Sequence, residues 1–439
     1  MDWRKDYERK LMSAEQAAAL VKSGDRLVFS AGREAFSVGL AIASRKDELK
    51  GVSVYAPNPG YDFGWYDAGW QDSFDVSIGM PTITCQEAVD ARLVDVALGT
   101  LIPFAETLTG PKTDVLLTEV SPPDEKGFCS FGASLWNKRT QVQEAKLVIA
   151  EVNSNLIRTY GDNYIHVSEI DYFVEHVSQG GAPGMGTPGG RKPKEPEAFI
   201  KKIAANVASL IRDGDTVQIG IGRTTEPLVS LGIFDGKRDL GWHSEATPSG
   251  IIPLIQKGVV NGSRKNLHPG KAVVTSIGGS SRAEMEWVTM NPLILLVDVT
   301  YLEDIRVIAA HDNYVAINNS LMVDLSGQIC SETIGPRIMS QAGGQIPFAY
   351  GATLSKGGRS ITCLPSTAQG GKVSRIVPML PQGTVVTLQR NLADLVVSEF
   401  GIARLKGKTL RQRAQELINI AHPDFREELK REANKLYWP

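Results

Sequence analysis

A chain of 439 residues is too long for one ordinary hydrophobic core and reads as two domains. Its globular composition and formal net charge of −2 leave no footprint for nucleic acid or a membrane surface. No apolar run approaches bilayer length, and Cys85, Cys129, Cys330 and Cys363 form no C-x-x-C pair, so free core thiols in a cytoplasmic protein are expected.

The start, Met1-Asp2-Trp3-Arg4-Lys5-Asp6, is charged and leads into an amphipathic helix without the apolar core of a signal peptide. A helical pattern from Ala14 to Val21 then runs into Lys22-Ser23-Gly24-Asp25, a short apolar strand and the loop Ala31-Gly32-Arg33. Val115 to Thr118 and Leu147 to Val152 read as buried strands of a mostly parallel sheet. Gly180 to Gly190, followed by the charged Arg191 to Glu197, is too dense in glycine and proline for regular structure and reads as a linker.

Beyond it, Phe199 to Ile211 runs into Arg212-Asp213-Gly214-Asp215, an apolar strand and the loop Gly220-Ile221-Gly222-Arg223. Both halves thus begin with helix, glycine cap, strand and glycine–arginine loop at matched offsets, which predicts an internal duplication of one open α/β unit. Ala272 to Ser276, Leu293 to Val299, Ser360 to Leu364 and Thr384 to Thr387 read as further strands. A surface turn from Gly401 to Thr409 precedes a helix starting near Leu410, and Phe425 to Lys435 reads as a solvated helix face. The expected fold class is therefore α/β, with two related open domains, 1–185 and 198–439, each built on a mostly parallel sheet. Ligands of such sheets sit at the carboxyl ends of the strands, where both glycine–arginine loops fall.

The chemistry centres on His243-Ser244-Glu245. A carboxylate on a polar turn, near a glycine loop that presents bare backbone N–H groups, suits nucleophilic acyl transfer without metal or organic cofactor. Taken alone, Glu245 reads first as a cap partner or surface charge, Gly343-Gly344 as a tight turn and Asn318 as an ordinary turn residue. Competing motifs fail. Gly184-Met185-Gly186-Thr187-Pro188-Gly189 matches G-x-G-x-x-G but lies in the linker and opens no helix. Gly401 to Gly407-Lys408-Thr409 has five residues between the glycines, against about four in a phosphate loop. No G-x-S-x-G occurs, and the six histidines make no metal-binding spacing.

Four segments resemble the acetyl-CoA hydrolase/transferase family, in particular its 4-hydroxybutyrate and butyryl/acetate CoA-transferase branch (family I CoA-transferases). Thr118 to Ser130 resembles the family's S-P-P-D-x-x-G-[YF]-x-S segment. His243-Ser244-Glu245 resembles its His-Thr/Ser-Glu turn, followed by Lys257-Gly258 to His268-Pro269-Gly270-Lys271. Gly343-Gly344-Gln345 to Phe348 with Ser355 to Ser360 is similar to its glycine block, and Leu364 to Pro378 with His422 to Arg426 completes the match.

The resemblance implies two related open α/β domains with the active site between them, and homo-oligomers. It implies that Glu245 attacks an acyl-CoA to give an acyl-glutamyl anhydride and then a glutamyl-CoA thioester, with ping-pong turnover onto a carboxylate acceptor. Gly343 and Gly344 become oxyanion donors, with Gly220 to Gly222 as further candidates. Gly220, Ile221, Gly222, Arg223, Thr224, Asn318, Gly343 and Gly370 become CoA contacts. CoA enters as a cosubstrate, with no tightly bound cofactor and no metal; the partners are acyl-CoA and small carboxylic acids.

This chain departs from the family at Arg223, matched by Arg33 in the first half, and in the aromatic stretch Tyr55 to Trp70. A guanidinium there suits a second carboxylate, hence a dicarboxylate or its monothioester such as a succinyl-CoA/itaconate pair. Arg223 reads equally as a ligand of CoA phosphate or an interdomain salt bridge. The enzyme alternative is an acyl-CoA hydrolase using Glu245, and the non-enzyme alternative a silent CoA-binding regulator.

Overall fold

The computed structural model describes residues 2–98, 113–176, 195–278 and 281–439. The Gly180 to Gly190 linker and its G-x-G-x-x-G lie outside them. The chain divides into two units, Met1–Arg191 with Thr275–Thr300 and Lys192–Val274 with Tyr301–Pro439.

In the first unit the main strands are β1 (Arg26–Phe29), β2 (Val52–Ala56), β3 (Phe74–Ile78), β4 (Val115–Val120), β5 (Leu147–Val152) and β6 (Tyr172–Glu175). Their order across the sheet is β6-β5-β4-β1-β2-β3, flanked by the short edge strands Leu11–Met12 and Asp95–Val96, with every pairing parallel. Helices must cover both faces of such a sheet, so its strands are near-continuous apolar runs. Every residue of β4 is accordingly buried.

The second unit repeats the plan. Its strands are β7 (Thr216–Ile219), β8 (Gly241–Ser244), β9 (Ala272–Val274), β10 (Tyr314–Asn319), β11 (Arg359–Cys363), β12 (Leu395–Ser398) and β13 (Gly401–Arg404). Their order is β13-β12-β11-β10-β7-β8-β9, parallel except for the β12–β13 edge hairpin.

Reading β1 onto β7, β2 onto β8, β3 onto β9, β4 onto β10, β5 onto β11 and β6 onto β12 superposes the two strand orders. The entry turns agree atom for atom. Asp25 accepts from Lys22 N–H at 2.7 Å, and Asp215 accepts from Arg212 N–H at 2.7 Å. Gly24 and Gly214 both take left-handed backbone, with φ +83° and +79°. A side chain would be strained at either position, which is why both turns use glycine.

The pairing register extends the correspondence to single residues. Arg26 pairs with Ser53, and Thr216 pairs with Gly241. Counting on from those pairs, Pro57 occupies in the first unit the place that Glu245 occupies in the second. Likewise Leu27 pairs with Val115 and Val217 with Val315, so Glu119 corresponds to Asn319.

Most of the expected strands form. Leu293 to Val299 yields only Ile294–Leu296, which pairs with Tyr160–Gly161. Thr384 to Thr387 is not a strand: Val385 and Val386 are exposed, and the Thr333 hydroxyl takes the Val385 N–H that a ladder would use. The turn expected from Gly401 begins as the edge strand β13, and Thr409 caps the helix Leu410–Asn419. All four cysteines are free and buried.

Helix α1 (Ala198–Ala208) is tied to this sheet by Arg359 on β11. The guanidinium donates to the Leu210 carbonyl at 2.8 and 3.0 Å and forms a buried ion pair with Asp215. Burial raises the Asp215 carboxyl further than Arg359 lowers it, so the pair is heavily desolvated. Removing one partner of such a pair typically costs about 3–5 kcal/mol. Arg359→Met is expected to lower unfolding free energy by that order in urea denaturation; a loss under about 1 kcal/mol would show the pair to be dispensable.

Candidate active site

Strand β8 delivers His243-Ser244-Glu245 to the carboxyl edge of the second sheet. The Ser244 hydroxyl donates to the Ala246 carbonyl at 2.8 Å and turns the chain directly after the strand. Tyr314, on β10, donates its hydroxyl to the His243 carbonyl at 2.6 Å. His243 Nε2 lies 2.8 Å from the Leu302 carbonyl. A carbonyl only accepts, so Nε2 carries the proton and Nδ1 is bare. Burial, with Lys265 and His311 nearby, holds His243 well below the usual imidazole range, so the ring is neutral.

This bond pins Leu302, and with it Glu303, beside Glu245. Glu303 is fully buried. Among the described residues, no N–H or O–H donates a hydrogen bond to either of its oxygens. Its partner is another carboxyl, Glu245. Two ionised carboxylates are acceptors only, so a hydrogen bond between them exists only when one carries a proton. Burial raises both acids. Hydrogen bonds from Glu303 and from Gly344 N–H offset the rise at Glu245, whereas the Glu245 charge pushes Glu303 further, well above the usual carboxylate range. The pair therefore shares one proton and carries one negative charge between its two acids.

The charge sits at a helix N-terminus. Helix α2 (Gln345–Leu354) begins with Gly344 as its N-cap and no side-chain cap, preceded by Gly343 at φ +53°. A Cβ on Gly344 would lie 2.5 Å from Glu245 Oε2, 2.5 Å from Glu303 Oε1 and 2.8 Å from the Phe348 ring. Only glycine lets the backbone N–H approach both acids, and the unpaired N–H groups of the first turn favour an anion.

The other expected residues are placed as follows. Gly220, at the end of β7, spends its N–H on the Ile317 carbonyl at 2.8 Å. Asn318 exchanges hydrogen bonds with Gln218 at 3.1 and 3.3 Å and backs onto Gly220. Asn319 does the same for Gly222, where its Oδ1 would lie 1.8 Å from a Cβ, and it accepts from Thr225 at 3.0 Å. Ile221 is exposed and Thr224 buried. Gly370 is exposed, in the turn between the paired strands Thr367–Ala368 and Val373–Ser374. Arg223 is 74 % exposed and pairs with Glu197. In the first unit, Arg33 faces the buried Glu119 at 3.4 Å.

Sequence reasoning missed Glu303, Asn319 and Tyr314. Asn319 could have been found by carrying the duplication through to Glu119. Nothing in Tyr301-Leu302-Glu303-Asp304 marks Glu303. Among the described residues, no cluster of three or more His, Cys, Asp or Glu is placed to hold a metal ion, and no helix is long and apolar enough to cross a membrane.

A half-buried carboxylate at a helix N-terminus, on a repeated α/β scaffold, is an arrangement suited to acyl transfer. Models of the acetyl-CoA hydrolase/transferase N-terminal and C-terminal domains match residues 1–179 and 279–433. The chain belongs to the acetyl-CoA hydrolase/transferase family. It is 40% identical to the 4-hydroxybutyrate coenzyme A transferase of Clostridium kluyveri, covering 100% of both chains. It is 36% identical to the succinyl-CoA:cyclohexane-1-carboxylate CoA transferase of Geobacter metallireducens, covering 99% of this chain and 97% of that one. The crystal structure of RipA from Yersinia pestis matches all of both chains at 30% identity with a TM-score of 0.89.

Gly344→Ala places a methyl group among both carboxyls. Removing an oxyanion donor typically costs about 10²–10³ in rate. The variant is expected to lose acyl-CoA turnover by that factor while its thermal midpoint falls only a few degrees; near-normal turnover would show that the close approach is not needed.

Proposed function

We propose that this protein is a CoA-transferase that moves CoA from an acyl-CoA to a small carboxylic acid through Glu245. The observation that carries this reading is the Glu245 carboxyl set against Gly344 at the start of α2, where a Gly344 Cβ would lie 2.5 Å from Glu245 Oε2. The free Glu245 oxygen attacks the acyl carbonyl, the C–S bond breaks, and CoA leaves as thiolate from an acyl-glutamyl anhydride. The thiolate attacks the glutamyl carbonyl and expels the first carboxylate, leaving a glutamyl-CoA thioester. The acceptor carboxylate repeats both steps in reverse, and Glu245 is regenerated.

Each addition creates an oxyanion, so preorganised N–H donors lower each barrier. Gly344 and Gly343 serve the glutamyl side. In the Gly220 loop the first N–H is spent on the sheet, which leaves those of Ile221 and Gly222 for the ligand. Thr224, Asn318 and the Gly370 turn complete the CoA contacts in this reading.

Incubation with acyl-CoA and no acceptor is expected to give an enzyme mass increased by CoA less water. Glu245→Gln should abolish both the adduct and transfer. Steady release of CoA without acceptor would identify a hydrolase instead; neither adduct nor turnover would leave only a CoA-binding protein.

We further propose a dicarboxylate as one substrate. Arg33 has its carboxylate built into the sheet as Glu119, but the equivalent position beside Arg223 is the neutral Asn319. Arg223 has only an exposed pair with Glu197, a kind of contact typically worth about 0–1 kcal/mol and readily exchanged. Its charge also acts on the half-buried Arg375, whose ionisation burial already disfavours. An anion at this place relieves that repulsion. Arg223→Met is expected to reduce kcat/KM for succinate at least tenfold more than for acetate; equal losses would assign Arg223 to CoA phosphate.

A further inference from the structure

The first sheet has a ligand position of its own. From β1 the chain passes to β2 and β3 on one side, then returns to β4 on the other, so the strand order reverses between β1 and β4. In open parallel sheets the crevice outside the carboxyl ends at such a reversal is where ligands bind. Gly32, in the loop after β1, and Glu119, near the end of β4, border that crevice.

The side chain that reaches it is Lys138, the first residue of the short helix Lys138–Glu144. Lys138 is 2 % exposed. Among the described residues its Nζ has no hydrogen-bond acceptor and no ion pair. The Phe131 ring lies 5.8 Å from it, and the charge that favours its ammonium form is that of Glu119. Nζ is 3.6 Å from the point a Gly32 Cβ would take, and Ser134 Oγ is 2.8 Å from the same point. Ser134 Oγ accepts from Trp136 Nε1 at 2.6 Å, which leaves its own O–H to donate. An ammonium and a hydroxyl thus converge on a bare glycine.

The acids nearby already have partners. Arg33 faces Glu119 at 3.4 Å, and Asn153 Nδ2 donates to Glu119 at 2.8 Å. His176 is hydrogen bonded to Glu151, and Ser37 and Val38 donate their N–H groups to the same carboxylate at 2.9 and 3.3 Å. Lys138 is therefore a surplus cation, and a buried ammonium is costly unless an anion pairs with it. The second unit differs at this place. Counting along β1 and β7, Gly32 corresponds to Gly222, which is backed by the neutral amide of Asn319.

From this geometry we infer that Lys138 and Ser134 form a binding site for a small carboxylate anion in the first unit. The ammonium takes one carboxylate oxygen and the Ser134 hydroxyl takes the other. The occupant is the small acid of the transfer reaction proposed above, and the choice of a carboxylate among anions rests on that reading.

Binding is linked to a proton. Burial pushes the free amine down to about 8, with Glu119 opposing the shift. Below that pH the amine is already charged and affinity is constant. Above it each bound acid requires a proton to be taken up, so affinity falls as pH rises. The other charged groups at this place are Glu119 on β4 and Arg33 in the β1 loop, with His176, after β6, 3.7 Å behind Glu119. Phe131, Ser134 and Trp136, from its own segment, do not titrate.

The test titrates acetate into the full chain by calorimetry without CoA, and follows thermal midpoints. It compares the native protein with Lys138→Met, which keeps the side-chain length without the charge. The native protein is expected to bind acetate, with affinity falling above about pH 8. Lys138→Met is expected to bind acetate about tenfold or more weakly, and to raise the KM for acetate by about that factor more than the KM for acetyl-CoA. Its midpoint without acetate is expected at or above the native value. Equal acetate affinity in the two proteins overturns the inference, as does a native affinity that is flat across the titration of the amine. A sharp fall in the Lys138→Met midpoint also overturns it, because the ammonium is then a structural partner of Glu119. If the native protein binds acetate but neither forms the CoA adduct nor transfers CoA, the site stands and the transferase reading fails. Adduct formation with acetate affinity indifferent to Lys138 sinks the site alone.

Discussion

Two carboxyl groups crowded against one glycine set the terms for the second unit. Buried like charges in one volume cannot both ionise, and they persist only where surrounding structure holds them there. Here the supports are identifiable. His243 fixes the Leu302 carbonyl, Tyr314 fixes the His243 carbonyl, and Ser244 turns the chain so that Glu245 leaves the sheet toward α2. Tyr314 in turn stacks on Phe348 of α2, with ring planes 2° apart. The helix that supplies the N–H groups and the strand that supplies the carboxylate are thereby referred to the same aromatic packing. Core rigidity is what converts electrostatic crowding into a defined protonation state.

The duplication shows how little separates a scaffold from a site. Both units share the strand order, the Gly-Asp entry turn and the glycine–arginine loop. Where β8 is followed by Glu245, the matching strand of the first unit is followed by Pro57, which has nothing to ionise. Where the first unit neutralises Arg33 internally with Glu119, the second has Asn319 and an arginine paired only at the surface. Two differences at equivalent positions thus separate a unit whose arginine is paired within the sheet from one with a carboxylate after its strand and an arginine paired at the surface.

Much of the fold was legible from local pattern. The buried strands β4 and β5 are short, mostly apolar runs that fit a parallel sheet, and the two entry turns announce themselves through glycine followed by aspartate. Thr384 to Thr387 has the same β-branched character but makes only a bridge at its end, where Thr387 N–H donates to the Ile329 carbonyl, while the Thr333 hydroxyl takes the Val385 N–H. Glu245 and Gly344 could be singled out because each stands in a recognisable motif. Glu303 could not, because its importance rests on proximity to Glu245, and an acid after Tyr301-Leu302 is unremarkable in composition.

The sequence by itself determined the α/β class, the repeated unit and the residue types needed for carboxylate chemistry. These follow from periodicity, from glycine at positions of left-handed backbone, and from side-chain functional groups, all of which are local properties. Tertiary structure alone decided which acids meet. It placed Glu303 on Glu245, set Gly344 N–H and the α2 terminus against them, and spent the Gly220 N–H on the sheet. It also left Arg223 at the surface while Arg33 was paired inside. The physical reason is that an ionisation state depends on burial and on neighbours brought together by folding, and neither is written in the order of the residues.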